Sequence, residues 1–197
     1  MLRQPDNRLY AGRGGSGKSF LALRHVEKFP RVLFIRPDQM EEPPFPYTQS
    51  AVALHEAMKA KTFELGFITD GSLEKWEAAN ALAIHHRNVA VIWEEAGGLM
   101  MGRNLPPHAR ELWVQGRHVG CRVYASTQMP QRISRDCRSN LARAIVFNTS
   151  EPGDLRYWFE TTGDPQVRET LRRLDWNKHE AWDWNPGGSA VKTSPFP

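Results

Sequence analysis

Short, continuous runs of hydrophobic residues alternate along this chain with longer stretches of helical periodicity. The strand-like runs lie at residues 8–11, 31–35, 61–68, 88–95, 121–128 and 140–148. The helix-like stretches lie at residues 20–29, 51–60, 72–83 and 108–119, with loops predicted over 36–47 and 97–107. Unbroken apolar runs are typical of strands buried on both faces. Strands alternating with helices predict an α/β fold with a mostly parallel central sheet.

A glycine-rich segment, YAGRGGSGKSF at residues 10–20, lies between the first predicted strand and the first predicted helix. Gly12, four intervening residues and then Gly17-Lys18-Ser19 have the spacing of a phosphate-binding loop. Lys18 is predicted to reach the β- and γ-phosphates of a nucleotide and Ser19 to ligate Mg²⁺. The backbone around the phosphates would come from Gly12, Arg13, Gly14, Gly15, Ser16 and Gly17. A flexible linker is the alternative, and the flanking strand and helix disfavour it.

Polar residues end two later strands. Glu94 and Glu95 follow the run VAVIW, and Gln128 follows VYAST. Because ligands bind at the carboxyl ends of parallel strands, all three side chains are expected near the nucleotide. We assign Glu94 to Mg²⁺ through its water shell, Glu95 to activating or positioning water, and Gln128 to orienting water or sensing the γ-phosphate. The alternative is an ordinary buried strand that meets solvent in two acids.

Length and composition limit the possible classes of protein. The 197 residues, 40% of them hydrophobic, suit one α/β domain. We assign residues 1–184 to that domain and the Pro/Gly-rich residues 185–197 to a C-terminal tail, with Trp176, Trp182 and Trp184 expected to cover the core. The sequence contains no apolar run of membrane-spanning length and no signal peptide.

Neither cysteines nor histidines show a metal-binding spacing. The two cysteines, Cys121 and Cys137, favour reduced thiols in a cytoplasmic compartment. The seven histidines form no ligand pattern, and we interpret His85-His86 as a solvated turn rather than a metal site.

Positive charge is concentrated in one segment of the chain. Between Arg103 and Arg143 there are eight arginines and two acids, which gives that segment +6 within a total of +4. Arginine without lysine favours contacts with phosphates and ion pairs across interfaces. A solvated basic face is an equally weighted alternative on this evidence alone.

The segment GRHVGCRVYASTQMPQRIS at residues 116–134, followed by NLARAIVFN, resembles the HerA/FtsK superfamily of DNA-pumping ATPases. The resemblance covers roughly residues 7–150. Within the superfamily, the chain looks most like the small genome-packaging ATPases of membrane-containing or tailless double-stranded DNA viruses. The resemblance implies a three-layer, RecA-like P-loop NTPase fold, a homo-hexameric ring, and ATP hydrolysis coupled to DNA movement.

The resemblance also implies roles for particular residues. Residues 12–19 match the phosphate loop of the family, Glu95 its catalytic acid and Gln128 its sensor. Arg143 stands where family members have an arginine entering the last strand, so it is the candidate arginine finger for a neighbouring subunit. Arg117 and Arg138 are the alternatives for the finger. The family usually has aspartate before the catalytic glutamate, whereas Glu94 stands there in this chain.

The sequence therefore predicts an ATP-driven motor that moves double-stranded DNA and packages a viral genome into a preformed capsid. We expect ATP and Mg²⁺ as cofactors, sequence-independent duplex DNA and capsid vertex or portal proteins as partners, and no direct membrane insertion. The expected location is the host cytoplasm or the virion. Two alternatives stay open. One is a Zot-like ATPase of filamentous-phage assembly, whose relatives normally carry a membrane segment, and the other is a nucleotide-dependent switch without DNA pumping.

Overall fold

The computed structural model is built on a single nine-stranded sheet, and it describes residues 7–38, 45–100, 104–186, 188 and 190–193. The strands are β1 Arg8–Ala11, β2 Arg31–Arg36, β3 Tyr47–Thr48, β4 Phe63–Ile68, β5 Ala90–Trp93, β6 Arg122–Thr127, β7 Arg143–Phe147, β8 Ala181–Trp184 and β9 Val191–Thr193. Their order across the sheet is β3-β4-β2-β5-β6-β1-β7-β8-β9. Strands β1 to β7 run parallel, and β8 and β9 are antiparallel to their neighbours.

Helices occupy the connections between these strands. They are α1 Lys18–Val26, α2 Ala51–Ala57, α3 Leu73–His86, α4 Ala96–Met100, α5 Pro107–Gln115, α6 Arg135–Ser139, α7 Pro152–Thr162 and α8 Val167–Arg173. Two short 3₁₀ helices, Gly116–Val119 and Pro130–Arg132, flank β6. Ser72 caps α3 by accepting a hydrogen bond from the backbone of Lys75. No helix in the described part of the chain is long and apolar enough to cross a bilayer.

The core lies on both faces of the sheet. Because alternate residues of a strand face opposite sides, Tyr10 of β1 packs with Leu21 and Val26 of α1, whereas Leu9 belongs to the cluster on the other face. That second cluster contains buried residues of α3 and α5, including Trp76 and Trp113. Helices on both faces of a mostly parallel sheet give the three layers that the family resemblance implied.

Two segments differ from the sequence-based expectation. The predicted loop 97–107 begins with helix α4, which can pack closely against the end of β6 because Gly97 has no side chain. A Cβ on Gly97 would lie 2.4 Å from Thr127 Oγ1. The predicted tail from residue 185 contains β9, which pairs with β8 and extends the sheet. The predicted loop 36–47 falls partly outside the described residues.

The order of the strands determines which strand ends are neighbours. Strand β6 lies between β1 and β5, and all three run parallel. The carboxyl ends of these strands therefore lie side by side at one edge of the sheet. The glycine-rich segment, Gln128 and the two glutamates follow directly from those ends.

Candidate nucleotide-binding site

The glycine-rich segment forms the turn between β1 and α1. The Gly12 backbone N–H donates to Thr127 O at 3.2 Å, which ties the start of the turn to β6. A Cβ on Gly12 would lie 2.9 Å from Phe147 Cβ, so only glycine allows this approach to β7. Gly17 caps α1 with φ +95°, in the left-handed region. The turn thus delivers the amino end of a nine-residue helix, with its partial positive charge, to the edge of the sheet.

Lys18, the first residue of α1, lies inside this turn. Its side chain is buried, with 6% of the residue exposed, and Nζ donates to Arg13 O at 2.9 Å. Burial lowers the pKa of Lys18, and the charges of Glu95 and Glu94 oppose that shift. The two glutamates thus help to keep the ammonium charged where it can meet an anion.

Ser19 and Glu94 meet beside Lys18. Ser19 Oγ donates to Glu94 Oε1 at 2.6 Å, and the Glu94 backbone N–H donates to Ile35 O at 2.8 Å, so Glu94 is fixed at the end of β5. Glu94 Oε2 is buried, and among the described residues it has no hydrogen-bond partner. A hydroxyl and an unpaired carboxylate oxygen are ligands that suit Mg²⁺, so the residues present fit this ion.

Glu95 bridges the ends of β5 and β6. Its backbone N–H donates to Ser126 Oγ at 3.2 Å, and its Oε1 accepts the Gln128 backbone N–H at 2.9 Å. Glu95 has φ +48°, a strained value for a residue with a side chain. Its carboxylate is therefore held in place at the expense of backbone strain.

Gln128 points its side chain towards the glycine-rich turn. A Cβ built on Gly14 would lie 3.7 Å from Gln128 Oε1. The structure thus brings Lys18, Glu94, Glu95 and Gln128 to one edge of the sheet, around the turn formed by residues 12–17. This is the arrangement that a triphosphate, a metal ion and an attacking water require.

The three candidate finger arginines lie elsewhere. Arg143 is the first residue of β7, at the opposite edge of the sheet from the turn, and forms a two-point ion pair with Asp183, with Nε donating to Oδ1 at 2.7 Å. Arg117 belongs to the 3₁₀ helix before β6, and Arg138 of α6 lies over the Tyr157 ring at 5.4 Å. The structure does not bring Arg143 to the turn of its own chain. A finger role towards a neighbouring subunit stays a prediction.

A cavity of about 500 Å³, which was not expected from the sequence, opens beside Gln128. Arg13, Arg132, Thr149 and Asp154 are among its lining residues. Asp154 is only 6% exposed, and burial raises its pKa to about 6. The lining residues come from separate segments of the chain, so no local spacing in the sequence indicated this cavity.

Trp176 contacts the glycine-rich turn, whereas the sequence predicted that it would cover the core. The Arg13 guanidinium lies 3.5 Å from the centroid of the Trp176 ring. His179 Nδ1 lies 3.2 Å from Ser16 O. The segment 175–180 between α8 and β8 therefore packs across the turn. Trp182 is buried in the core as expected, and its ring stacks with that of Trp184 at 6.2 Å.

Comparison with known proteins gives the fold independent support. No protein-family model matches the sequence, and no curated protein sequence is similar to it. The genome packaging NTPase B204 from Sulfolobus turreted icosahedral virus 2, solved in complex with AMPPCP, is similar in structure with a TM-score of 0.78. It has 18% sequence identity, and the match covers 99% of this chain and 100% of that chain.

Two further structures place the similarity in context. B204, the DNA-packaging ATPase from Sulfolobus turreted icosahedral virus, has a TM-score of 0.73 at 18% identity, covering 99% of this chain and 100% of that one. The N-terminal domain of zonular occludens toxin from Neisseria meningitidis has a TM-score of 0.52 at 15% identity, covering 97% and 93%. The chain thus has a P-loop NTPase fold, and the resemblance predicted from the sequence is confirmed at the level of the fold.

Proposed function

We propose that this chain is an ATPase that drives double-stranded DNA into a viral capsid. The observation that carries the proposal is the meeting of Lys18, the Ser19–Glu94 pair and the Glu95–Gln128 pair at the carboxyl edge of the sheet. The similarity over nearly the full length to two packaging proteins supports packaging as the biological role. The weaker structural similarity to zonular occludens toxin gives the Zot-like alternative less support.

The site residues divide the work of ATP hydrolysis among them. The backbone N–H groups of residues 12–17, the start of α1 and the Lys18 ammonium bind the β- and γ-phosphates. Ser19 directly and Glu94 through the water shell would hold Mg²⁺, which would neutralise charge on the phosphate oxygens. Glu95 positions the attacking water and accepts its proton, and Gln128 orients that water from the other side.

Gln128 also provides a path from the nucleotide to the rest of the chain. Its backbone N–H donates a hydrogen bond to Glu95, and its side chain faces the turn at Gly14. The 3₁₀ helix that contains Arg132 begins two residues later. Loss of the γ-phosphate would therefore first displace the segment between β6 and β7. That segment is rich in arginine, which suits contacts with the DNA backbone.

A ring of subunits completes the proposal. A homo-hexamer would place arginines of one subunit beside the nucleotide of the next, where they can stabilise the transferring phosphoryl group. Arg143 could do so only if its ion pair with Asp183 opened at the interface. Duplex DNA would be bound through its phosphates without sequence preference. Capsid vertex or portal proteins would anchor the ring to the capsid, and the protein would be found in the host cytoplasm or in the virion.

The decisive experiment is an ATPase titration with and without duplex DNA at several salt concentrations. We expect DNA to stimulate turnover and the stimulation to fade as salt rises, because phosphate contacts release counterions. Lys18→Ala should reduce turnover at least about a hundredfold, and the exposed Lys61→Ala should serve as the matched control. Unaltered turnover in Lys18→Ala would refute the site. Slow turnover that ignores DNA would favour the nucleotide-dependent switch.

A further inference from the structure

Three histidines meet at the amino edge of the sheet, away from the nucleotide site. His55 lies on α2, and His85 and His86 are the last two residues of α3. One ring nitrogen from each residue lies within 4.8 Å of the other two. His86 Nε2 and His55 Nδ1 are 3.0 Å apart, so one of them donates a hydrogen bond to the other. The sequence favoured a solvated turn at His85-His86, because its histidines show no metal-binding spacing.

Arg31 contacts the backbone at the ends of the two helices that carry these histidines. It begins β2, and its guanidinium donates to His86 O at 3.1 Å and to Met58 O at 2.7 Å. It thereby ties together the carboxyl ends of α3 and α2. Since β2 begins at the edge opposite the glycine-rich turn, the three-histidine cluster is separated from the nucleotide by the length of the strands.

The contact between the His55 and His86 rings requires a ring nitrogen without a proton. The carboxyl end of a helix attracts positive charge, and this alone would explain histidines in the last turn of α3. However, a ring-to-ring hydrogen bond requires one nitrogen without a proton. Glu56 is the nearby acid, and it is ion-paired with Lys59 at 2.6 Å.

A divalent metal ion satisfies two requirements of the cluster, which are positive charge at the helix ends and a ring nitrogen without a proton. It places positive charge at the ends of two helices while it leaves every imidazole neutral, which is the form that binds metals. We infer that His55, His85 and His86 form a site for a transition metal ion of the Zn²⁺ class. Three imidazoles suit Zn²⁺, and the exposure of His85 leaves a fourth position open to water.

Formation of the site requires only small movements. Ring nitrogens bound to one tetrahedral Zn²⁺ lie roughly 3.3 Å apart, from the usual Zn–N length of about 2 Å. His55 Nδ1 and His86 Nε2 are already 3.0 Å apart, so most of the movement has to come from rotation of the exposed His85 ring, which brings its nitrogen closer to the other two. The Arg31 and Lys59 charges oppose a cation here, so moderate rather than extreme affinity is expected.

The metal would fasten α2 to α3. Helix α2 has seven residues, and Leu54 is its buried residue, so it is held by few apolar contacts of its own. A metal bridging the two helices would stabilise this end of the sheet and leave the nucleotide site unchanged. Its role is therefore structural, and it is independent of the proposed ATPase function.

The test uses the full, untagged chain after treatment with a chelator. Titration with Co²⁺ should give visible absorption bands typical of a tetrahedral site, saturating at one ion per chain and lost when Zn²⁺ is added. Millimolar Mg²⁺ should not remove them, because imidazole is a poor ligand for Mg²⁺. Zn²⁺ at about one hundred times its Kd should raise the unfolding midpoint by about 5–10 °C.

Variants identify the ligands. His85→Ala, at an exposed position that should fold normally, and His55→Ala should each weaken Co²⁺ binding at least about tenfold. The exposed His118→Ala should bind Co²⁺ as the natural chain does. Absence of visible bands up to millimolar Co²⁺ would overturn the inference. So would equal affinity in His85→Ala and His118→Ala, which would place the metal elsewhere.

Discussion

Replacement of Glu95 by glutamine isolates the chemical role of one carboxylate. The introduced amide would keep an oxygen that can accept the Gln128 backbone N–H, which Glu95 Oε1 accepts at 2.9 Å. The backbone strain at φ +48° is the same for glutamate and glutamine, since both carry a Cβ. The substitution should therefore leave the fold intact and remove only the negative charge and the ability to accept a proton.

The expected loss follows from that change. A positioned general base contributes about 10²- to 10⁴-fold to a rate, which corresponds to about 3–5 kcal/mol of activation free energy. We expect Glu95→Gln to reduce kcat within that range. Burial lowers the pKa of Lys18, and Glu95 opposes this shift more strongly than Glu94 does. Removal of the Glu95 charge should lower that pKa further.

The assay combines steady-state ATPase with equilibrium binding of ATP. The expected result is a large fall in kcat with the Kd for ATP changed by no more than about threefold at pH 7. Glu64→Gln, at an exposed position on β4, is the matched control and should behave as the natural chain. A Glu95→Gln protein that turns over ATP within a few-fold of the natural rate would show that Glu95 is not the base.

Three further predictions address the turn and its surroundings. Gly17→Ala, at φ +95°, should lower the free energy of unfolding by about 1–2 kcal/mol in urea titrations. Trp176→Ala removes the ring under Arg13 and should raise the KM for ATP up to about tenfold, whereas Trp176→Phe should retain much of the affinity. Burial raises the pKa of Asp154 from 3.8 to about 6. Between these two pH values the folded state retains a proton that the unfolded state releases, so the free energy of unfolding falls as the pH rises from 3.8 to about 6. Asp154→Asn should therefore be more stable than the natural chain by about 1–3 kcal/mol at pH 7.5 and equal to it at pH 4, with Glu160→Gln on the same helix as control.

The sequence predicted the parts of the site that depend on local pattern. The spacing from Gly12 to Ser19 describes one continuous turn, and apolar runs mark the strands that lead to Glu95 and Gln128. In a parallel sheet those strand ends must share an edge. The convergence around Lys18 therefore required no knowledge of distant contacts, and the predicted strands β1, β2, β5, β6 and β7 appear at the expected places.

Contacts between distant parts of the chain were not predictable in the same way. Trp176 reaches Arg13 across most of the length of the chain, and Arg143 meets Asp183 through pairing of β7 with β8. Neither contact has a local sequence signal, because a tryptophan or an arginine has the same local pattern in a core, at an interface or beside a ligand. The contact between His55 and His86 was not predictable for the same reason, since only the packing of α2 on α3 brings them together.

The position of β6 suggests how hydrolysis and DNA contact could be coupled. Glu95 is held in a strained conformation, and one of its two tethers is the Gln128 backbone at the end of β6. Any movement of the Glu95 carboxylate on loss of the γ-phosphate must lengthen that bond or move Gln128. From Gln128 the chain passes directly to Arg132 and then to Arg135 and α6. Under the proposed function, the connection between β6 and β7 is therefore the segment in which strain at the nucleotide would move positive charge along DNA.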